Sequence, residues 1–547
     1  MRRALVFAAL LCACREKAAQ PPPLAEQQAP AAPERVREQE PNDFQRAQQI
    51  PARAVVAGTL QAPRDDDWYR IGAGSGKTLG LRVELKGVRD ASLETYDRDR
   101  NRLLRVHAGG DDPGVVPAMA CLEACFVKVS GAGPQDYELT VLGGQPRPGE
   151  ELEPNDRAVD ATELLPASPM RGTYLTADDE DWYRLPVPAG SGDVLRIEVT
   201  PVEGVRPELE VRALGDATLL ATFRGAEGLF VRNLSVHLGR AEAVEPAGDG
   251  ADAGAPDGGP VLAGGYYLVL KGKSRHGAPL APYTLTATLE PGAQDLELEP
   301  NDDPEHATPL HETATGFLAP SGDQDWYRVH VDAPTVLHAE LSGADRADLE
   351  LAVYAAAGTE KPRLLARANE GGPRELEVLP AVGIPAGDSY LLVQAAARQL
   401  DGKWVRDGED RQTPYRLAVQ LSPDDGSTER EPNDEVATAQ PVPLPVAVKG
   451  WIWPRKDVDL FRFHVEAGHA PVNVILPAVR GVDLQLRLYQ LRGDRPPEVI
   501  GSSDSKRGDG EEKLIAVPLK EGDYAVEVSS PRNKDASASQ AYMLTVQ

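Results

Sequence analysis

The chain has 547 residues, with 85 Asp or Glu against 58 Lys or Arg and a net charge of −27. That length implies several domains, each burying its own core. The acidic balance excludes a nucleic-acid binder, which needs clustered Lys and Arg, and equally a basic face docked on anionic lipid. The 51 Gly and 48 Pro fit a turn-rich β chain, while 8 Phe and 4 Met leave little material for aromatic or Met-lined pockets.

Arg2 and Arg3 make a short positive region, and Ala4 to Ala13 is a compact small-and-apolar run. It is too short to span a bilayer and suits a secretion signal over residues 1–13. Leu11-Cys12-Ala13-Cys14 resembles the lipobox of bacterial lipoproteins, with Cys14 as the lipidated first residue of the mature chain. The alternative is an ordinary secretory cut near Ala13. No later run approaches 18 apolar residues, so membrane attachment would rest on the lipid of Cys14 only. Residues 14–37, rich in Ala, Pro, Gln and Glu, read as a disordered tether.

Cys121 and Cys125 remain after Cys14 is acylated. In an oxidising compartment a disulfide is their default state, and here it would clip a hairpin loop. A zinc site needs about four ligands, and one CxxxC supplies two.

The rest of the chain repeats four times. Each copy opens on a Glu-x-Glu-Pro-Asn-Asp segment: Glu38, Glu40, Asn42 and Asp43; Glu151, Glu153, Asn155 and Asp156; Glu297, Glu299, Asn301 and Asp302; Glu429, Glu431, Asn433 and Asp434. An Asp-x-Asp pair follows each one, at Asp65 and Asp67, Asp179 and Asp181, Asp323 and Asp325, and Asp457 and Asp459. Trp-Tyr comes next in three copies (Trp68-Tyr69, Trp182-Tyr183, Trp326-Tyr327) and Leu460-Phe461 in the fourth, all read as core packing. The copies close on Tyr137, Tyr283, Tyr415 and Tyr542 within Tyr-x-Leu strands. Period-two alternation between these marks, as at Leu79 to Leu85 or Leu484 to Leu488, predicts antiparallel strands. At most a turn or two of helix is expected after each Glu-Pro-Asn-Asp, as at Gln45 to Gln49.

The resulting expectation is all-β: four tandem jelly-roll-like antiparallel β-sandwich domains behind the tether. Their boundaries are 38–145, 151–290 with a disordered insertion at 241–260, 297–422 and 429–547.

These ordered signatures resemble the bacterial pre-peptidase C-terminal domain, a family that includes the collagen-binding modules of clostridial collagenases. The resemblance covers nearly all of the chain after Arg37. It implies a jelly-roll-like sandwich, usually appended to a secreted protease, with structural calcium between the ExEPND segment and the DxD turn. The residue chemistry agrees. Calcium takes 6–8 hard oxygen ligands, and each copy brings five carboxylates and an Asn carbonyl to two short segments. Such carboxylates, clustered and unpaired, would repel one another. The other reading is that Glu-Pro-Asn-Asp is a solvated turn. In the third copy Glu299, Asn301, Asp302 and Asp325 are the expected core ligands, with Glu297 and Asp323 less fixed by the spacing.

Sharper-looking motifs fail. Gly72 to Thr78 imitates a phosphate loop, but its glycines are too close and it leads into a strand, so a hairpin turn is the better reading. No HExxH or GxSxG occurs, and Arg492-Gly493-Asp494 and Arg507-Gly508-Asp509 read as loops. The leading expectation is a non-enzymatic, lipid-anchored protein of the cell envelope, in the outer membrane of a Gram-negative bacterium. Its calcium-stabilised repeats would bind an extracellular polymer or an envelope protein in an adhesion role, with Tyr96, Tyr354 and Tyr489 as weak candidates for contact. The competing readings are a passive spacer on the envelope and a hydrolase with an unrecognised site.

Overall fold

The computed structural model describes residues 31–547 except 189–193, 227, 237–261, 275–277, 279, 359, 494 and 506–509. The signal, Cys14, most of the tether and the 241–260 insertion lie outside the described residues. Both Arg-Gly-Asp tripeptides also reach outside them. Within the described residues the chain is all-β, with one short 3-10 turn, Pro531–Asn533. No described helix is long and apolar enough to cross a membrane. The helical turn expected at Gln45 to Gln49 is absent; Gln48–Ile50 is a strand paired in parallel with Tyr69 to Ile71. The last residues assigned to the tether are also ordered: Glu34–Arg37 runs parallel to Arg53–Leu60.

Alternation does place the cores. In Arg53–Leu60 the residues Ala54, Val56 and Leu60 are fully buried while Ala57 and Thr59 face out. The third unit shows the plan. One sheet runs Thr308–Pro309, Gln324–Val331, Gly387–Ala395, Leu349–Ala357, Glu360–Ala368, and the other Thr313–Leu318, Asp410–Pro423, Thr335–Gly343, Glu377–Ile384. Both contribute to one core, in which Tyr327, Leu337, Leu351, Leu391 and Leu417 are fully buried. Apart from Glu34–Arg37 and the added hairpin of Arg398–Leu400 with Lys403–Val405, the same order returns in every unit. Each has a separate apolar core.

Successive units are bridged by backbone, at Met119 with Glu153, Leu234 with Glu299 and Val382 with Glu431. Leu175 of the second unit even belongs to the first unit's core. The sheets therefore form a stacked, solenoid-like series in which each repeat leans on its neighbour. Of the expected fold, the all-β class is what this arrangement carries; the repeats are not plainly free-standing jelly rolls.

Most connections cross from one sheet to the other, which corrects two turn assignments. Gly72 to Lys77 joins Asp65–Gly72 to Thr78–Lys86, strands of different sheets, so it is a turn but not a hairpin. Cys121 and Cys125 are bonded, with Cα atoms 5.5 Å apart. Their strands, Gly114–Leu122 and Ala124–Gly131, also lie in different sheets, so the disulfide ties one sheet to the other. Cys125 occupies the register position held elsewhere by Tyr266, Ser389 and Tyr524.

Candidate metal centres

Two backbone contacts bring the acidic segments together in every unit. The carbonyl of the Asn in Glu-Pro-Asn-Asp accepts the N–H of the residue just after the second Asp of DxD. The bonds are Trp68 to Asn42 (2.7 Å), Trp182 to Asn155 (3.0 Å), Trp326 to Asn301 (3.0 Å) and Leu460 to Asn433 (3.2 Å). The first Glu is pinned by its own N–H to the strand just before DxD, as Glu297 to the Thr315 carbonyl at 3.0 Å. All four Glu-Pro bonds are cis.

The result is four acidic clusters at equivalent places. Glu38, Glu40 and Asp67 each offer an oxygen within 4.8 Å of the others; so do Glu151, Glu153 and Asp181, Glu299, Asp323 and Asp325, and Glu431, Asp457 and Asp459. The second Glu and the second Asp are common to all. Asp302 is not in the third trio, whereas Asp323 is. Burial raises the carboxyls of Asp156, Asp302 and Asp434 above their usual range, while Asp43 pairs with Arg46.

The remaining oxygens divide into committed and free. The first Asp of DxD accepts from a turn, as Asp323 Oδ2 from Ala319 N at 2.7 Å and Asp457 Oδ2 from Trp453 N at 2.7 Å, and Asp323 Oδ1 also accepts from Gln324 N at 3.1 Å. Asp65 and Asp179 do the same with Gln61 and Leu175. The first Glu is committed too: Glu297 accepts from Phe317 N (2.8 Å), Tyr415 Oη (3.0 Å) and Asn233 Nδ2 (3.1 Å). Glu429 accepts from Trp451 N (2.7 Å) and Tyr542 Oη (3.0 Å). Free and buried are Asp67 Oδ1, Glu153 Oε1, Asp181 Oδ1, Glu299 Oε1, Asp325 Oδ1, Glu431 Oε1 and the side-chain oxygens of Asn155, Asn301 and Asn433. Unpaired oxygen atoms this deep cost free energy unless something positive meets them. Hard anionic and carbonyl oxygens at such spacing are the donor set of calcium, so the residues fit that ion.

Electrostatics point the same way. Burial is the main cause that raises these acids, and neighbouring carboxylates add to it for Glu153, Glu299, Asp323 and Asp325. Glu153 is pushed to about 10, Asp67 and Glu297 to about 8, and Glu151, Asp179 and Glu431 to about 7. Asp181, Glu429, Asp457 and Asp459 also stand well above the carboxylate range. With no cation, such clusters cannot all ionise near neutrality.

Sequence reasoning missed the tyrosine hydroxyls. Tyr137, Tyr283, Tyr415 and Tyr542, read only as strand residues, donate to Oδ2 of Asp67, Asp181, Asp325 and Asp459 at 2.7–2.8 Å. Tyr69, Tyr183 and Tyr327 pair with them hydroxyl to hydroxyl at 2.5 Å. Phe461 omits that second hydroxyl in the fourth unit. The signal was recurrence at one register in every copy.

The Trp side chains lie elsewhere. Alternation turns them to the outer sheet face, where Trp68 packs on Tyr96 (4.6 Å) and Trp326 on Tyr354 (5.1 Å). Leu460 joins a satellite cluster there with Ala439 and Ala525, partly covered by Tyr489. The Tyr and Phe members fill the inner core as expected.

No protein-family model matches the chain, and no curated protein does. Among solved structures, it is similar to the pre-peptidase C-terminal domain of a collagenase from Bacillus anthracis. That match has 17% identity over 20% of this chain and 94% of that one, with a TM-score of 0.16. It is also similar to the CBM32-1 and CBM32-2 domains of Clostridium perfringens ZmpB, at 7% identity over 43% of this chain and 86% of that one, with a TM-score of 0.13. The same pair in complex with GalNAc gives 7% and 0.13. The functional reading rests on the chain's own residues.

Proposed function

We propose that this is a non-catalytic, lipid-anchored protein of the cell envelope whose four calcium-held β units bind an extracellular polymer or a partner protein. The observation that carries the calcium is the convergence of acids at four equivalent places, with a buried carboxylate oxygen that lacks a partner on Asp67, Glu153, Asp181, Glu299, Asp325 and Glu431. The second Glu, the Asn and the second Asp of DxD in each unit would hold the ion, joined by the first Glu in the first two units and by the first Asp of DxD in the last two. Bound calcium supplies charge that offsets the carboxylate repulsion and fixes the two segments to each other. Titrating the full chain with calcium by calorimetry should give four sites. A chain that takes up none would overturn the reading.

One observation favours the spacer alternative. Tyr96 and Tyr354 pack on tryptophans, and Tyr489 donates to Glu527 at 2.7 Å, so these rings are engaged within their own sheets. For the anchor, the lipobox at Leu11 to Cys14 is the support. A Cys14→Ser variant should leave the membrane fraction, and its retention there after a high-salt wash would exclude the lipid.

A further inference from the structure

The two glutamates of each metal-binding segment face different units. In the third, the N–H of Glu297 bonds to Thr315 of its own unit, whereas Glu299 donates to the Asn233 carbonyl (3.0 Å) and accepts from Ser235 N (3.1 Å), both in the second unit. The pattern is threefold. Glu153 donates to Ala118 (3.0 Å) and accepts from Ala120 (2.9 Å); Glu431 donates to Ala381 (3.1 Å) and accepts from Gly383 (2.9 Å). The acceptors are the edge strands Gly114–Leu122, Leu229–Ser235 and Glu377–Ile384, each last in its sheet. Each edge strand would otherwise expose unpaired backbone, and the next unit's metal segment extends it. Side chains reinforce the contact: Asn233 reaches Glu297, Arg232 lies 4.2 Å from the Phe317 ring centroid, and Trp453 donates to the Val378 carbonyl at 2.6 Å.

Two features mark the ends of this pattern. Glu40 in the first unit has no such edge against it among the described residues, and it is exposed where Glu153 and Glu299 are buried. In the fourth unit the corresponding edge is Glu512–Val517. A shared register irregularity fixes the correspondence: Leu81 with Met119, Leu195 with Leu234, Leu337 with Val382 and Val472 with Val517 each precede the same shift. The residue after Val517, aligned with the donors Ala120, Ser235 and Gly383, is Pro518. Proline has no N–H to give, so this edge cannot accept a metal segment in the same way.

We infer that centres two, three and four are joints: the ion that closes each one also clamps its second glutamate onto the preceding unit's sheet edge, and Pro518 makes the fourth edge a blunt end. Calcium then sets the stiffness of the array as well as the stability of each unit. This rests on the calcium reading of the centres.

The test is amide hydrogen exchange on the full chain, in calcium and in chelator, with calcium uptake measured in parallel. Chelation should speed exchange at Ala120, Ser235 and Gly383 and at Glu153, Glu299 and Glu431 at least tenfold more than along Glu512 to Val517, which feels only the lost stability of its own unit; an equal response at all of them would count against the joint. If calcium binds and those six amides exchange equally in both conditions, the joint is wrong while the metal reading stands. If no calcium binds, the metal reading fails first and takes the joint with it. Ala120→Pro transplants the blunt end to the first edge, and should weaken calcium at the second centre about tenfold or more, leaving the third and fourth as they were. Ala120→Gly, which keeps the N–H, should behave as the parent. Equal affinity in the Pro and Gly variants would also overturn the joint.

Discussion

Replacing Asp325 by Ala should cost the full chain one calcium, so that calorimetric titration counts three sites instead of four. Asp325 lies fully buried, with Oδ2 held by Tyr415 and Oδ1 without a partner, so no neighbour can supply the missing oxygen. At free calcium about 100-fold above the dissociation constant, an occupied site adds roughly 2.7 kcal/mol to the stability of the unit that holds it. Against the 5–15 kcal/mol typical of a whole domain, that is a large share. It corresponds to a shift on the order of 10 °C in the melting of a unit this size. The third unit alone should therefore lose its calcium response, read as hydrogen exchange in Gln324–Val331 and Asp410–Pro423. Magnesium, smaller and slow to shed water, should substitute poorly in the parent chain. A variant that still binds four calcium ions would place Asp325 outside the centre. Tyr415→Phe is the milder companion. It removes the donor to Asp325 and Glu297 but no ligand, so calcium should bind with reduced affinity and unchanged count.

The two acidic signatures were legible because recurrence needs no structure to be seen: Glu-Pro-Asn-Asp and Asp-x-Asp return in order, and the chain brings them together. What stayed hidden has physical reasons. Gly72 to Lys77 is as short as a hairpin turn, and nothing in a turn's composition says whether the next strand rejoins its sheet or crosses to the other. The same ambiguity concealed the role of the Cys121–Cys125 bond. The tyrosines of Tyr-x-Leu carry two messages in one residue, strand propensity in the ring and a donor in the hydroxyl, and only the first shows in a pattern of alternation. Glu153, Glu299 and Glu431 are harder still, since their side chains serve one unit and their backbones another. Pro518 could have been noticed as a break in the fourth copy, but its meaning depends on knowing which N–H the others use.

The slope of stability against pH should change sign with calcium. In chelator, acids such as Asp67, Glu153, Asp179 and Glu297 have folded pKa values of about 7 to 10, raised mainly by burial above the 3.8–4.5 of free carboxyls. A group raised in the folded state contributes its full stability below its unfolded pKa and loses it as pH climbs through the folded value. Stability of the metal-free chain should therefore fall steadily from about pH 5 to about pH 9. Acids shifted the other way do not mask this. Burial would raise Glu208 and Glu210, but hydrogen bonds from Lys273 and Lys271 win and hold them low, so both have finished titrating before that window opens. In excess calcium the direction reverses. The ion binds the ionised carboxylates, its affinity grows as protons leave, and stability should rise over the same range. Thermal melts of the full chain at several pH values, with and without calcium, would resolve the two slopes. Parallel curves would mean that the buried acids find their counter-charge somewhere other than in a bound ion.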